Sequence, residues 1–252
     1  MKSKGTILNF AVDVGVELLN CGAEIQRVEE TMTRILTAYG CNDAEVSATP
    51  VNIIATVSDN SLPLTKSARI KYRDTNLYRL EQLNALSRRI CETKPDILMA
   101  RKQLAKIKEE KGSGVFAQIC AFAAVGLSYA IFFGGTAGDI VTALVAAAMT
   151  RILLYLLDRQ RYNIFFKSIL SATLIAFVTL IAKITGFSHN PESAMTGALM
   201  TLVPGIALTN CMRDFMAEDY LSGMSGLAEA ILTAFGIAIG VSVMFFAKGA
   251  VL

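Results

Sequence analysis

Past the Gly112-Ser113-Gly114 break the chain carries five apolar stretches, roughly residues 115–133, 140–157, 164–183, 193–212 and 227–247. Each comes close to the ~20 residues that a helix needs to cross the hydrocarbon core of a bilayer. The second is the least regular, with Asp139 at its start and Arg151 inside it. Even so, residues 141–149 are wholly small or apolar, and Arg151 lies near enough to one end to snorkel toward water. Charge follows the same division: 17 of the 24 Lys and Arg, and 14 of the 21 Asp and Glu, precede Val115. The remaining 138 residues hold seven of each sign, a density rare in a soluble domain of that size. These features predict a mainly α membrane protein, with a charged domain over residues 1–112 and a five-helix transmembrane bundle over residues 113–252.

The loops set an orientation. Residues 134–139 and 184–192 contain no Lys or Arg, whereas 158–163 carries Arg159 and Arg161, and 211–226 carries Arg213. By the positive-inside rule the N-terminal domain and the Arg-bearing loops are cytoplasmic, in a cell (inner) membrane, and an odd number of spans puts Leu252 outside. No secretory signal is expected, because Asp13 and Glu17 interrupt the first apolar run. The five Cys residues form no CxxC pair, which argues against a disulfide framework or a zinc site. The net charge of +3 comes from interleaved acids and bases, so nothing points to nucleic acid.

Small residues at four-residue spacing, which let membrane helices approach closely, recur as Gly236 and Gly240, as Gly197, Thr201 and Gly205, and as Thr142, Ala146 and Thr150. The fourth stretch also holds Pro204-Gly205 about halfway along. Proline has no N–H, so the carbonyl of Met200 loses its helical partner and a kink is expected there. In transporters such breaks line solute and ion sites; elsewhere they are ordinary packing kinks. Asn210, Arg213 and Asp214 follow within three turns, then Glu218, Asp219 and Glu229. An amide, a guanidinium and carboxylates together suit a small carboxylate-bearing solute, with Arg taking the carboxylate in two hydrogen bonds. Arg213 paired with Asp214 or with headgroups, and Glu229 marking the start of a helix, is the plainer alternative.

In the first half, apolar residues at 7, 11, 14, 18, 25, 28, 32, 35 and 39 predict one long amphipathic helix, stopped by Gly40. Three short β-like runs follow at 44–49, 52–58 and 65–72, with a turn at 59–61, and then two helices, the second over 95–111. The order αβββαα predicts a small α+β domain with its helices on one face of an antiparallel sheet. Within residues 22–35, Glu24 with Arg27 and Glu30 with Arg34 have ion-pair spacing. The last helix carries Arg101, Lys102, Lys106, Lys108 and Lys111, a plausible contact with anionic membrane lipid. Enzyme signatures are missing: His189 is the sole histidine, there is no phosphate-binding GxxxxGK loop, and no catalytic residue, cofactor or metal is expected.

Two segments resemble a known family. GAEIQRVEETMTRI at 22–35 looks like the N-terminal signature of the threonine/serine exporter family, and PGIALTNCMRD at 204–214, with Leu221-Ser222-Gly223 following, is similar to that family's PGxxLTNxxRD…SG segment. The resemblance runs from the first helix to the fifth span. It implies a secondary exporter of small amino acids, of which larger members fuse a second membrane half and split members pair two proteins, some exporting dicarboxylates such as succinate. A partner of the same family, or self-association, is therefore expected. By the same resemblance the substrate path includes Pro204, Gly205, Asn210, Arg213 and Asp214, with Glu229 and Arg151 as weaker candidates. Glu24, Arg27, Glu29 and Glu30 fall in the N-terminal signature, with gating or contact between the halves as their expected role. A non-transporting regulatory or scaffold subunit is the alternative of another class.

Overall fold

The computed structural model describes residues 3–59, 62–70, 75–110, 112–160 and 162–251, with side chains for all of these but Asp59 and residues 244–251. The turn at Asn60-Ser61, the Lys71-Tyr72 end of the third β-like run, Lys111, Arg161 and Leu252 lie outside the described residues. The chain divides into two compact units, one of residues 1–112 with 210–225 and one of residues 113–209 with 226–252.

The first unit opens with helices α1 (Lys4–Asn20) and α2 (Ile25–Ala38). The periodic stripe that predicts one helix over 7–39 is thus carried by two. Gly22 has φ +85°, a conformation that ordinary side chains resist, and it turns the chain between them while the apolar phase resumes at Ile25. Strands β1 (Ala44–Ala48), β2 (Asn52–Asp59) and β3 (Leu62–Arg69) form an antiparallel sheet in the order β1-β2-β3. Helices α3 (Leu77–Thr93) and α4 (Ile97–Glu109) complete the unit's N-terminal part, so the observed order is ααβββαα. Alternation on β2 shows which sheet face is covered: Ile53, Ala55 and Val57 are wholly buried, while Ile54 and Ser58 are exposed. The covered face meets Phe10, Val14 and Leu18 of α1 and Val28, Met32 and Ile35 of α2 in one continuous core. Each such large side chain contributes roughly 1.5–3 kcal/mol on burial.

The second unit holds α5 (Val115–Phe132), α6 (Ala137–Arg159), α7 (Ile164–Ile184) and α8 (Pro191–Leu199). Its interior is made of small residues: Ala130, Ala143, Ala146, Ala147, Ala172 and Ala198 are buried, as are Thr142, Thr150 and Ser171. Large apolar side chains such as Phe132, Met149, Leu156 and Phe177 face outward. This is the reverse of a water-soluble core and suits a bundle surrounded by lipid. Among the described residues four helices are long and apolar enough to cross a membrane: α5, α6, α7 and the Tyr220–Val243 part of α10 (Tyr220–Val251).

The predicted fourth span is not a single kinked helix. It is two short helices, α8 and α9 (Gly205–Met216), separated by residues 200–204. The winding tightens before the proline is reached, with Thr201 N–H donating to Ala198 O at 3.1 Å and Leu202 N–H to Leu199 O at 2.9 Å. The loop expected over 211–226 shrinks to residues 217–219, because α9 runs on to Met216 and α10 begins at Tyr220. Close packing by small residues is seen at Gly197, where an added Cβ would lie 2.6 Å from Ala130 N, and at Gly240, where it would lie 2.4 Å from Ile169 O. Gly205, the third member of its predicted repeat, meets nothing.

Candidate functional site

In the first unit the structure joins the two motifs that lie farthest apart in sequence. Arg213, on the last turn of α9, forms an ion pair with Glu24, which is the residue just before α2. Glu24 is held there because Gly22 has turned the chain and the helix starts at Ile25. One turn into α2, Glu29 Oε1 accepts the backbone N–H of Ala48 at 2.7 Å. Its carboxyl is pushed above the ordinary value, first by burial and also by the negative charge of Asp219, while the Ala48 N–H acts in the opposite sense. Asp219 in turn starts α10, accepting Ser222 N–H at 3.2 Å and Ser222 O–H at 2.6 Å. Glu30 pairs with Arg34 at 3.8 Å as its spacing predicts, and Arg27 is exposed.

Pro204 and Gly205 belong to the second unit, while Asn210, Arg213 and Asp214 belong to the first, so the candidates of the second motif fall in two units. Glu229 does not mark a helix start. It lies nine residues into α10, exposed, with its carbonyl accepting Thr233 O–H at 2.9 Å.

Arg151 reaches toward the first turn of α5 and the end of α6. Its Nε donates to Gln118 Oε1 at 2.9 Å, Nη2 bonds the same oxygen, and the guanidinium carbon sits 5.7 Å from the centre of the Phe122 ring. Gln118 is fixed in this orientation because its Nε2 donates to Ser113 O at 2.8 Å. Arg151 Nη1 stands 3.6 Å from Asp158 Oδ2, and Lys167 Nζ lies 2.5 Å from Asp158 Oδ1.

Sequence reasoning passed over Asp139 as a blemish at a span's start. The side chain is wholly buried and accepts four hydrogen bonds: from Thr136 N–H at 2.7 Å, Thr136 O–H at 2.6 Å, Ser188 O–H at 2.6 Å and Asn190 N–H at 2.9 Å. It closes a capping box on α6 and ties that helix to the turn after α7. The threonine three residues before an aspartate was a legible signal for the cap. Gln118, Asp158 and Lys167 carried no such signal. Among the described residues no group of three or more His, Cys, Asp or Glu is placed to hold a metal ion.

Comparison with known proteins adds to this geometry. A family model described as "Putative threonine/serine exporter" matches residues 9–247. A "Probable threonine/serine exporter" of Mycobacterium tuberculosis is 23% identical over 93% of this chain and 45% of its own length, so the chain spans under half of that relative. Proteins called "Probable succinate transporter subunit YjjP" in Klebsiella aerogenes and Escherichia coli are 25% and 24% identical over 93% of this chain, covering 91% and 92% of their own lengths. No solved structure gives a significant match.

Proposed function

The chain belongs to the threonine/serine exporter family, and from that premise we propose that it is a subunit of a secondary exporter moving threonine, serine or a similarly small amino acid out of the cell. Membership supports a transporter rather than an enzyme. The observation that carries the reading is the interruption between α8 and α9, where the α-helical pattern breaks within residues 200–204 of the apolar stretch. Such a gap is tolerated only against protein or a water-lined cavity, which is where secondary transporters hold their solutes.

Five crossings are part of this proposal, and chain connectivity supports them. Helices α5, α6 and α7 are three spans, and residues 210–225 rejoin the compact unit that holds residues 1–112. A return crossing between α7 and Asn210, made by α8 with α9, and a fifth made by α10 fit that connectivity. The positive-inside rule puts residues 1–112 in the cytoplasm. The pair of Arg213 with Glu24 is a contact between the exporter motif and the N-terminal signature, and it supports a gating role for Glu24.

A second reading, export of a dicarboxylate such as succinate, is favoured by the two relatives named as succinate transporter subunits, which this chain spans almost end to end. The word subunit in both names also supports a working unit of this chain with a second membrane protein, or with another copy of itself.

The test is release of labelled threonine, serine and succinate from proteoliposomes containing the chain and its partner. Arg213→Ala and Asp214→Asn should stop release with folded protein retained, and exchange of charge in Glu24→Arg/Arg213→Glu should restore what Arg213→Glu loses. Arg213 is mostly exposed, with 62% of its side chain accessible, so its ion pair contributes at most about 1 kcal/mol to stability and flux is the informative readout. Wild-type flux in both single variants refutes the site. Flux that persists without this chain refutes the transport role.

A further inference from the structure

The charged groups inside the second unit do not balance. Asp139 is complete, with four donors on one carboxylate. The cluster of Gln118, Arg151, Asp158 and Lys167 is different: two cations share one carboxylate, and Lys167 holds it, at 2.5 Å. Arg151 is left with a neutral amide as its hydrogen-bonded partner, since 3.6 Å to Asp158 is beyond a hydrogen bond. Its side chain is only 15% accessible. With Arg151 and Lys167 both paired to Asp158, two cations meet one carboxylate, so the cluster is one anion short, and the burial of Arg151 makes that deficit costly. Its orientation is nevertheless fixed, by the Phe122 ring and by Gln118, itself anchored on Ser113 O. One turn along α7 from Lys167, on the same face, the buried Ser171 hydroxyl has no hydrogen-bond partner.

We propose that this cluster is the carboxylate-binding site of the second unit: Arg151 takes a solute carboxylate, and Asp158 is the built-in carboxylate that occupies the cations when solute is absent. The assignment rests on the exporter reading and gives it a substrate-recognition site. Two solute classes share the required carboxylate, and Asp158 distinguishes them. A dicarboxylate competes with Asp158 for Arg151 and Lys167. A zwitterionic amino acid places its carboxylate on Arg151 and its ammonium on Asp158.

The experiment is equilibrium dialysis of labelled succinate and labelled threonine against the full chain in lipid nanodiscs, with and without its partner. Arg151→Gln should weaken whichever solute binds by at least tenfold. Asp158→Asn should tighten succinate about three- to tenfold and weaken threonine, and a gain in affinity cannot come from misfolding. Arg151→Gln protein that binds as tightly as wild type overturns the site, as does Asp158→Asn that leaves both solutes unchanged. Wild-type binding of neither solute, when the assembled exporter still transports one of them, overturns the site and leaves the exporter reading intact. Absence of transport by the assembled wild type overturns the exporter reading itself.

Discussion

Replacing Asp139 with Ala is the substitution whose cost the structure determines most directly. The wild-type carboxylate is fully buried and takes two backbone N–H groups, of Thr136 and Asn190, and two hydroxyls, of Thr136 and Ser188. The hydroxyls can turn toward other acceptors; the two amides cannot. Stranding two buried donors costs about 1–3 kcal/mol each, and loss of the N-terminal cap about 1 kcal/mol more, for a total near 3–5 kcal/mol once partial relaxation is allowed. For a protein of this size that is a fall of roughly 10 °C in the unfolding midpoint. Asp139→Asn retains an oxygen for Ser188 and Asn190 but turns an N–H₂ toward the Thr136 amide, so about half of that loss is expected. Ser188→Ala removes one donor and strands nothing on the carboxylate's other side, so about 1 kcal/mol is expected. The measurement is loss of helical circular dichroism on heating the detergent-purified full chain. An Asp139→Ala midpoint within 2–3 °C of wild type, on the order of 1 kcal/mol, refutes the claim that this carboxylate fastens α6 to the turn after α7.

Three other outcomes are expected. Gly138→Ala puts a Cβ 1.9 Å from Phe187 O, so the turn that Asp139 fastens must move, and thermal melts should show a loss of at least about 2 kcal/mol. Glu218, which ends α9 with φ +63°, holds a conformation costly for any residue but glycine, so Glu218→Gly should raise stability by about 1 kcal/mol in the same assay. Glu29 has a carboxyl raised above 4.5 on folding; the folded state holds the proton more tightly, and stability falls as pH rises from about 4.5 through the folded value. Glu29→Gln keeps an oxygen for the Ala48 N–H and removes the charge, so melts across pH 4–8 should converge at the acid end and show the variant increasingly ahead toward the alkaline end.

How much of this was legible from residues alone depended on the range of the interaction. Apolar length placed α5, α6 and α7 within a few residues, because crossing a bilayer is a property of one segment. The β-like run at 52–58 placed β2 within a residue for the same reason. The split at Gly22 was less legible, since apolar periodicity carried across the turn with its phase intact and only the positive φ reveals the break. The site residues were legible in part: Arg213 and Glu24 stood out as motif members, but that they meet is a fact of the tertiary fold, 189 residues apart along the chain. Gln118 was illegible because a lone glutamine in an apolar helix acquires meaning only when Arg151 faces it.

The interruption between α8 and α9 shows why local chemistry understates a break. Proline at 204 removes one donor, which by itself predicts a kink and one orphaned carbonyl, that of Met200. The observed gap is wider because the chain leaves the α-helical path before the proline. Thr201 N–H and Thr201 Oγ1 both donate to Ala198 O, and Leu202 N–H donates to Leu199 O, all three-residue bonds of tighter winding. Each such backbone bond draws on a carbonyl one residue later than an α-helix would, and the α-helical pattern resumes only where Pro204 O accepts Leu208 N–H at 3.0 Å. Gly205 then restarts the helix with nothing packed against its Cα face, whereas Gly197, eight residues earlier, is pressed against α5. The same small-residue repeat therefore does two jobs: its first member holds α8 in the bundle, and its last leaves the start of α9 uncovered.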